Sequence, residues 1–137
     1  RIIVVTNQPD VATGLQRRET VEAIHAQMRA RFPIDDIKVC YHADQDGCAC
    51  RKPKPGLLVR AAADLALDLA ASTIVGDKAS DLAVAPRVGA RSVLVLTGYG
   101  LGEWEYQRAT FPVAPDHVAE DLLDAVEWVL GQHGRAS

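Results

Sequence analysis

At 137 residues the chain has the length of one domain. Its 48% hydrophobic content is ample for a core, and its formal net charge of -3 offers no general attraction to nucleic acid. No apolar run approaches the ~20 residues of a membrane helix, and no segment has the pattern of a targeting peptide, so a reducing cytosol is the expected setting, with neither membrane nor nucleic acid as partner.

Residues 1–5 (Arg-Ile-Ile-Val-Val) read as a parallel strand buried on both faces, ending at the polar turn Thr6-Asn7-Gln8-Pro9. A helix is predicted over 18–32, with Val21, Ile24, Met28 and Phe32 as its apolar stripe. Residues 37–41 form a second strand, and Pro55-Gly56 opens a helix that runs to about Leu67. Residues 73–75 give a third strand, ending at Gly76-Asp77. A short helix over 80–88 is interrupted by Pro86 and stopped by Gly89. Residues 92–96 are a fourth strand, 97–115 a long Gly/aromatic loop, and Leu122, Leu123, Val126 and Leu130 share one face of a final helix. Strand and helix alternate throughout, which argues for a Rossmann-like α/β fold, a parallel sheet flanked by helices. The whole of 1–137 is expected to be one domain.

All three cysteines lie in one loop with a histidine: Cys40, His42, Cys48 and Cys50. Thiolate and imidazole are the usual ligands of tetrahedral zinc, and four of them close the coordination shell, as in a structural site. A disulfide with one spare thiol is the competing reading, an awkward design for a secreted loop. The spacing Cys-x-His then Cys-x-Cys lacks the familiar Cys-x-x-Cys knuckle, so a turn near Asp46-Gly47 must assemble the shell. The basic run Arg51-Lys52-Pro53-Lys54 follows at once.

Ligands of open α/β sheets sit beyond the carboxyl ends of the strands, and three polar clusters occupy such ends. These are Thr6-Asn7, the cysteine loop with Arg51-Lys52, and Gly76-Asp77-Lys78. A hydroxyl, an amide and backbone N–H groups suit a phosphate, Lys52 supplies a cation, and Asp77 is the hard oxygen ligand that Mg²⁺ prefers. The pattern suits phosphoryl transfer.

Thr6-Asn7-Gln8, the segment Cys40-x-His42 to Cys48-x-Cys50-Arg51-Lys52-Pro53, and Val75-Gly76-Asp77-Lys78-x-x-Asp81 resemble the second, third and fourth motifs of the haloacid dehalogenase (HAD) superfamily. The pattern is most similar to the zinc-containing, cap-less D-glycero-D-manno-heptose 1,7-bisphosphate phosphatases and to the related histidinol-phosphate phosphatases. The resemblance implies that Thr6 and Asn7 bind phosphate, with Gln8 and Pro9 beside the substrate. It implies that Lys52 stabilises the transferred phosphoryl group, that Arg51 recognises the substrate and that Lys78 contacts it. Asp77 would bind Mg²⁺ with Asp81 supporting it, and Cys40, His42, Cys48 and Cys50 would hold Zn²⁺. The implied reaction is Mg²⁺-dependent hydrolysis of a phosphorylated sugar, heptose bisphosphate first and histidinol phosphate as the alternative.

Read singly, each feature has a plainer meaning. Thr6-Asn7 is a strand-end turn, Lys52 and Lys54 are solvated charges, and Asp77 is a helix cap. His25, His117 and His133 read as surface or packing residues, Trp104 and Trp128 as packing residues, and 99–106 as a surface loop or a flap facing the substrate. The superfamily's first strand ends in Asp-x-Asp, which supplies the nucleophile and the general acid. No strand of this sequence ends so, and Asp10 lies on the wrong side of the phosphate turn. The chain is therefore expected to start at the family's second strand, as the C-terminal portion of a longer polypeptide whose first, central strand lies between those ending at Thr6 and Asp77. Alone it is expected to be inactive. Taken literally, the sequence also fits a catalytically dead, zinc-stabilised binding module.

Overall fold

In the computed structural model, which describes residues 1–135, the first apolar run forms β1 (Ile3–Asn7). It pairs in parallel with β2 (Asp36–Cys40), in a register that sets Asn7 opposite Cys40 at the carboxyl edge. Two helices connect these strands. Pro9 opens the single turn α1 (Pro9–Ala12), where its missing N–H costs nothing. Then α2 (Arg18–Arg31) stops because Pro33 forces Phe32 into extended backbone, with φ -128 and ψ 151. After β2 a 3-10 turn (Asp44–Asp46) leads into α3 (Gly56–Leu65), which buries Leu57, Leu58 and Ala61 and ends at Ala66 in the left-handed region, φ 52. Everything to Leu67 forms one compact unit. Its core joins Cys40, Cys50 and Leu57 with Val5 and Cys48 packed against them, so the thiols are part of the core.

The second unit begins at Asp68 and holds a three-stranded parallel sheet, β3 (Thr73–Gly76), β4 (Arg91–Val95) and β5 (His117–Ala119), in that order. After β3 come α4 (Ala79–Leu82) and a separate 3-10 turn at Ala85–Val88. The interruption expected at Pro86 in the helix over 80–88 falls before it, between Leu82 and Ala85, because the Pro86 ring would meet the carbonyl of Leu82 four residues back, and Gly89 ends the second turn. The expected loop over 97–115 holds short helical turns: α5 (Gly100–Gly102), a π turn at Glu103–Gln107 and a 3-10 turn at Arg108–Thr110. Among the described residues β1 pairs only with β2, and β3 only with β4.

Two helical stripes depart from expectation. On α2 only Val21 is buried; Ile24 and Phe32 are 52% and 59% exposed, and it is the Glu22, His25 and Arg29 face that borders a groove of about 250 Å³ with Ile37, Val39 and Tyr41. On α6 (Leu122–Arg135) the sheet meets Ala125 and Trp128, while Leu122, Leu123, Val126 and Leu130 are exposed. Ala125 is fully buried and Trp128 stacks on the His117 ring, centroids 5.0 Å apart, so a small residue and one flat ring settle the packing. Among the described residues no helix is long and apolar enough to cross a membrane.

Candidate active site and metal centre

The four expected metal ligands converge. β2 delivers Cys40 at its last residue, the 3-10 turn and Gly47 reverse the chain, and Cys48 and Cys50 return beside it. Gly47 has φ 63, a left-handed conformation that glycine adopts without a Cβ clash. Asp46 fixes the turn by accepting the Ala43 N–H at 2.8 Å. The four ligand atoms lie within 4.8 Å of one another. Cys40 Sγ is 3.6 Å from Cys48 Sγ and 2.8 Å from Cys50 Sγ, and His42 Nδ1 is 3.5 Å from Cys40 Sγ and 3.2 Å from Cys50 Sγ. A tetrahedral site with Zn–S of about 2.3 Å has sulfur–sulfur edges of about 3.8 Å, so size and donor set both fit zinc. The cysteines are free, and 2.8 Å exceeds the ~2.05 Å of a disulfide.

The thiols are electrostatically unlike. Burial pushes the Cys50 thiol up to about 12, helped by its hydrogen bonds to Cys40 and Cys48. For Cys48 burial also acts upward, but the Arg51 and Cys50 backbone N–H groups and the neighbouring thiols outweigh it and bring it down to about 6. A metal must therefore displace at least the Cys50 proton.

The same loop places the cations. Asn7 Oδ1 accepts the Lys52 N–H at 3.1 Å and Asn7 Nδ2 donates to the Lys52 carbonyl at 3.3 Å, a two-point clamp across 45 residues of sequence. The Lys52 ammonium donates to the Val5 carbonyl at 3.1 Å, so Lys52 is more than a solvated charge. Gln8 Nε2 donates to Thr6 Oγ1 at 3.0 Å, which leaves the Thr6 hydroxyl proton for an acceptor such as a phosphate oxygen. Pro9 heads α1 just beyond. Arg51 Nε pairs with Asp44 on the 3-10 turn, and its Nη1 is buried without a protein partner. Asp44-Gln45-Asp46 spells an Asp-x-Asp, yet both carboxylates are committed to Arg51 and Ala43 within a turn, away from any strand end.

In the second unit Asp77 follows β3, and its Oδ2 accepts the Tyr99 N–H at 3.0 Å. Asp81 is buried, accepts the Lys78 N–H at 3.3 Å and lies so close to Gly76 that any side chain there would collide with it. Lys78 is exposed, its Nζ 4.2 Å from the Tyr99 ring centroid. Asp77 is an oxygen donor of the kind Mg²⁺ takes.

These strand-end clusters coincide with a matched family. Residues 49–125, more than half of the chain, match the family model described as HAD-hydrolase-like. The chain belongs to the HAD-hydrolase-like family. The D-glycero-beta-D-manno-heptose-1,7-bisphosphate 7-phosphatase of Pseudomonas putida is 41% identical over 104 residues, which cover 72% of this HAD chain and 59% of the relative. The enzyme of that name from Neisseria meningitidis is 30% identical, covering 96% and 73%. A crystal structure of D,D-heptose 1,7-bisphosphate phosphatase from Bordetella bronchiseptica, complexed with magnesium and phosphate, is 37% identical with a TM-score of 0.83, over 95% of this chain and 74% of that one. The chain spans about three fifths of the length of the Pseudomonas relatives it matches.

In the first unit Asp44, on Arg51, was not singled out from the sequence; in the second, neither was Gly98, against Asp77, whereas Tyr99, on Asp77, and Glu103, whose Oε2 accepts the Ala79 N–H at 3.0 Å, fall in the stretch 99–106 read as a surface loop or a flap. The strand-end rule was the available signal for Gly98 and Tyr99, since Thr97-Gly98-Tyr99-Gly100 directly follows a strand.

Proposed function

We propose that this chain carries much of the site of a Mg²⁺-dependent HAD phosphatase that hydrolyses D-glycero-D-manno-heptose 1,7-bisphosphate. The observation that carries the reading is the Arg51-Lys52 pair at the exit of the Cys40, His42, Cys48, Cys50 cluster, with Lys52 clamped to the end of β1 by Asn7. The names of the relatives supply the substrate.

The family's reaction passes the phosphoryl group to an aspartate of Asp-x-Asp; the second aspartate protonates the departing sugar oxygen, and water cleaves the acyl phosphate. For this chain's residues the proposed roles follow from their surroundings. The Thr6 hydroxyl and Asn7 lie at the carboxyl end of β1, where the hydroxyl donates to a phosphate oxygen. The Lys52 ammonium stabilises negative charge on the phosphoryl oxygens. The buried, unpartnered Nη1 of Arg51 donates to the substrate, with Gln8 and Pro9 beside it, and Lys78 makes a further substrate contact. Asp77 would hold Mg²⁺, with Asp81 ordering the turn beneath it; the bound ion would neutralise charge on the phosphate. Zn²⁺ on the four ligands would be structural, fixing the loop that presents Arg51 and Lys52.

Purified full-length gene product is to be assayed for phosphate release from heptose 1,7-bisphosphate, histidinol phosphate and p-nitrophenyl phosphate, with and without Mg²⁺. The expected result is Mg²⁺-dependent release with kcat/KM at least about tenfold higher for the bisphosphate, the equivalent of ~1.4 kcal/mol in the transition state. Preference for histidinol phosphate would shift the substrate, and no release from any of the three would favour the binding module.

A further inference from the structure

Tyr99 is 65% exposed, so its ring is placed by something other than the core. Its backbone accounts for the placement. The Tyr99 N–H is held by Asp77 Oδ2 at 3.0 Å, and Gly98, with φ 60, lies so close to that carboxylate that any side chain would collide with it. Four residues on, the Glu103 carboxylate accepts the Ala79 N–H at 3.0 Å. The segment after β4 is thus fastened to the Asp77 turn on both sides of the ring. Over that ring lies the Lys78 ammonium, 4.2 Å from the centroid.

A ring face and a carboxylate hold a lysine differently. A carboxylate would localise the ammonium but cancel its charge toward an incoming anion and occupy its donors. An aromatic face attracts the cation through its quadrupole while leaving N–H donors for a ligand. The carboxylate of this segment, Glu103, accepts the Ala79 N–H, and the described contact of the Lys78 ammonium is the Tyr99 ring.

Building on the phosphatase reading, we propose that Tyr99 is a positioning residue: it holds the Lys78 ammonium over its ring, ready for an anionic or hydroxyl oxygen of the phosphorylated sugar, and so contributes to substrate selection.

The test uses the full-length gene product with Tyr99→Leu, Tyr99→Phe and the wild type. NMR of ¹³C-labelled lysine reads the geometry without turnover. The Lys78 ε protons are expected upfield of the other exposed lysines through the ring current, in wild type and Tyr99→Phe but not in Tyr99→Leu. Kinetics with heptose bisphosphate should show KM raised about two- to fivefold in Tyr99→Leu, with kcat changed less than about twofold, and restored in Tyr99→Phe, as a cation over a partly exposed ring implies. An unshifted Lys78 signal in wild type overturns the inference, as does a KM that Leu leaves unchanged or Phe fails to restore. No turnover by wild type on any phosphate ester overturns the phosphatase reading and this substrate role with it; a normal KM in Tyr99→Leu despite a lost ring shift overturns this inference alone.

Discussion

Replacing Asn7 with alanine removes both arms of the clamp, the bond to the Lys52 N–H and the bond to its C=O, in a half-buried place. Each such bond contributes roughly 0.5–1.5 kcal/mol net, so the pair is worth about 1–3 kcal/mol. Asn7→Asp keeps the acceptor and loses the donor, and its loss should fall between zero and that of alanine. Urea unfolding is the assay, followed through the Tyr41 ring resonances. Both tryptophans, Trp104 and Trp128, lie in the second unit and report only on it. Hydrogen exchange at the Lys52 amide gives a local reading, with protection falling roughly 5- to 150-fold for the same 1–3 kcal/mol. In the full-length gene product the shift of Lys52 that follows loss of the Asn7 bonds should lower kcat by about 10–100-fold with a smaller change in KM, because displacement of a positioned group by about 1 Å costs that much. A stability loss below about 0.5 kcal/mol with unchanged Lys52 exchange would refute the clamp.

Zinc affinity should rise with pH. Cys50, held near 12 when metal-free, must lose its proton to bind, whereas Cys48, near 6, is already largely thiolate at pH 7; each proton released strengthens binding about tenfold per pH unit, read by chelator competition at pH 7 and 8, and a flat profile would contradict the assignment. The Asp36 carboxyl is lowered chiefly by the hydrogen bond from Lys38, with the Ile37 N–H and Arg29 adding to it against desolvation. Its contribution is therefore present above the ordinary carboxylate value of about 3.9 and lost as pH falls below it, so Asp36→Asn should flatten the acid limb of urea midpoints measured from pH 5 to 2.5. Ala66→Gly at the left-handed end of α3 should raise stability of the first unit by about 0.5–1 kcal/mol in the same Tyr41-detected titration, since the left-handed cost to alanine exceeds the added chain entropy of glycine.

What the sequence shows of this molecule is mostly local. β-branched runs marked four of the five strands, and the three clusters flagged at strand ends lie after β1, β2 and β3 in the structure. His117–Ala119 escaped because, unlike the equally short Thr73-Ile74-Val75, it holds a single β-branched residue and so carries no strand signal of composition. The α6 stripe was misread for another reason: the four large residues dominate any pattern count, while the sheet accepts Ala125, whose small side chain permits close approach. Tertiary fit, which no single helix encodes, chose the face. The Cys40, His42, Cys48 and Cys50 cluster was legible because its chemistry is written in residue type within one loop. The partners that hold the charged groups were not, since Asn7 meets Lys52 across 45 residues and Tyr99 meets Asp77 across 22.

In the proposed phosphatase the loop carrying Cys40, His42, Cys48 and Cys50 presents Lys52 to a phosphoryl group. Steady-state phosphate release from heptose 1,7-bisphosphate by the full-length gene product tests it most directly, comparing wild type with Lys52→Ala at equal zinc content. The expected result is a fall in kcat/KM of at least about 10²-fold, as loss of one preorganised charge in a site gives, with bound zinc and folding unchanged. Equal rates in the two proteins would contradict it.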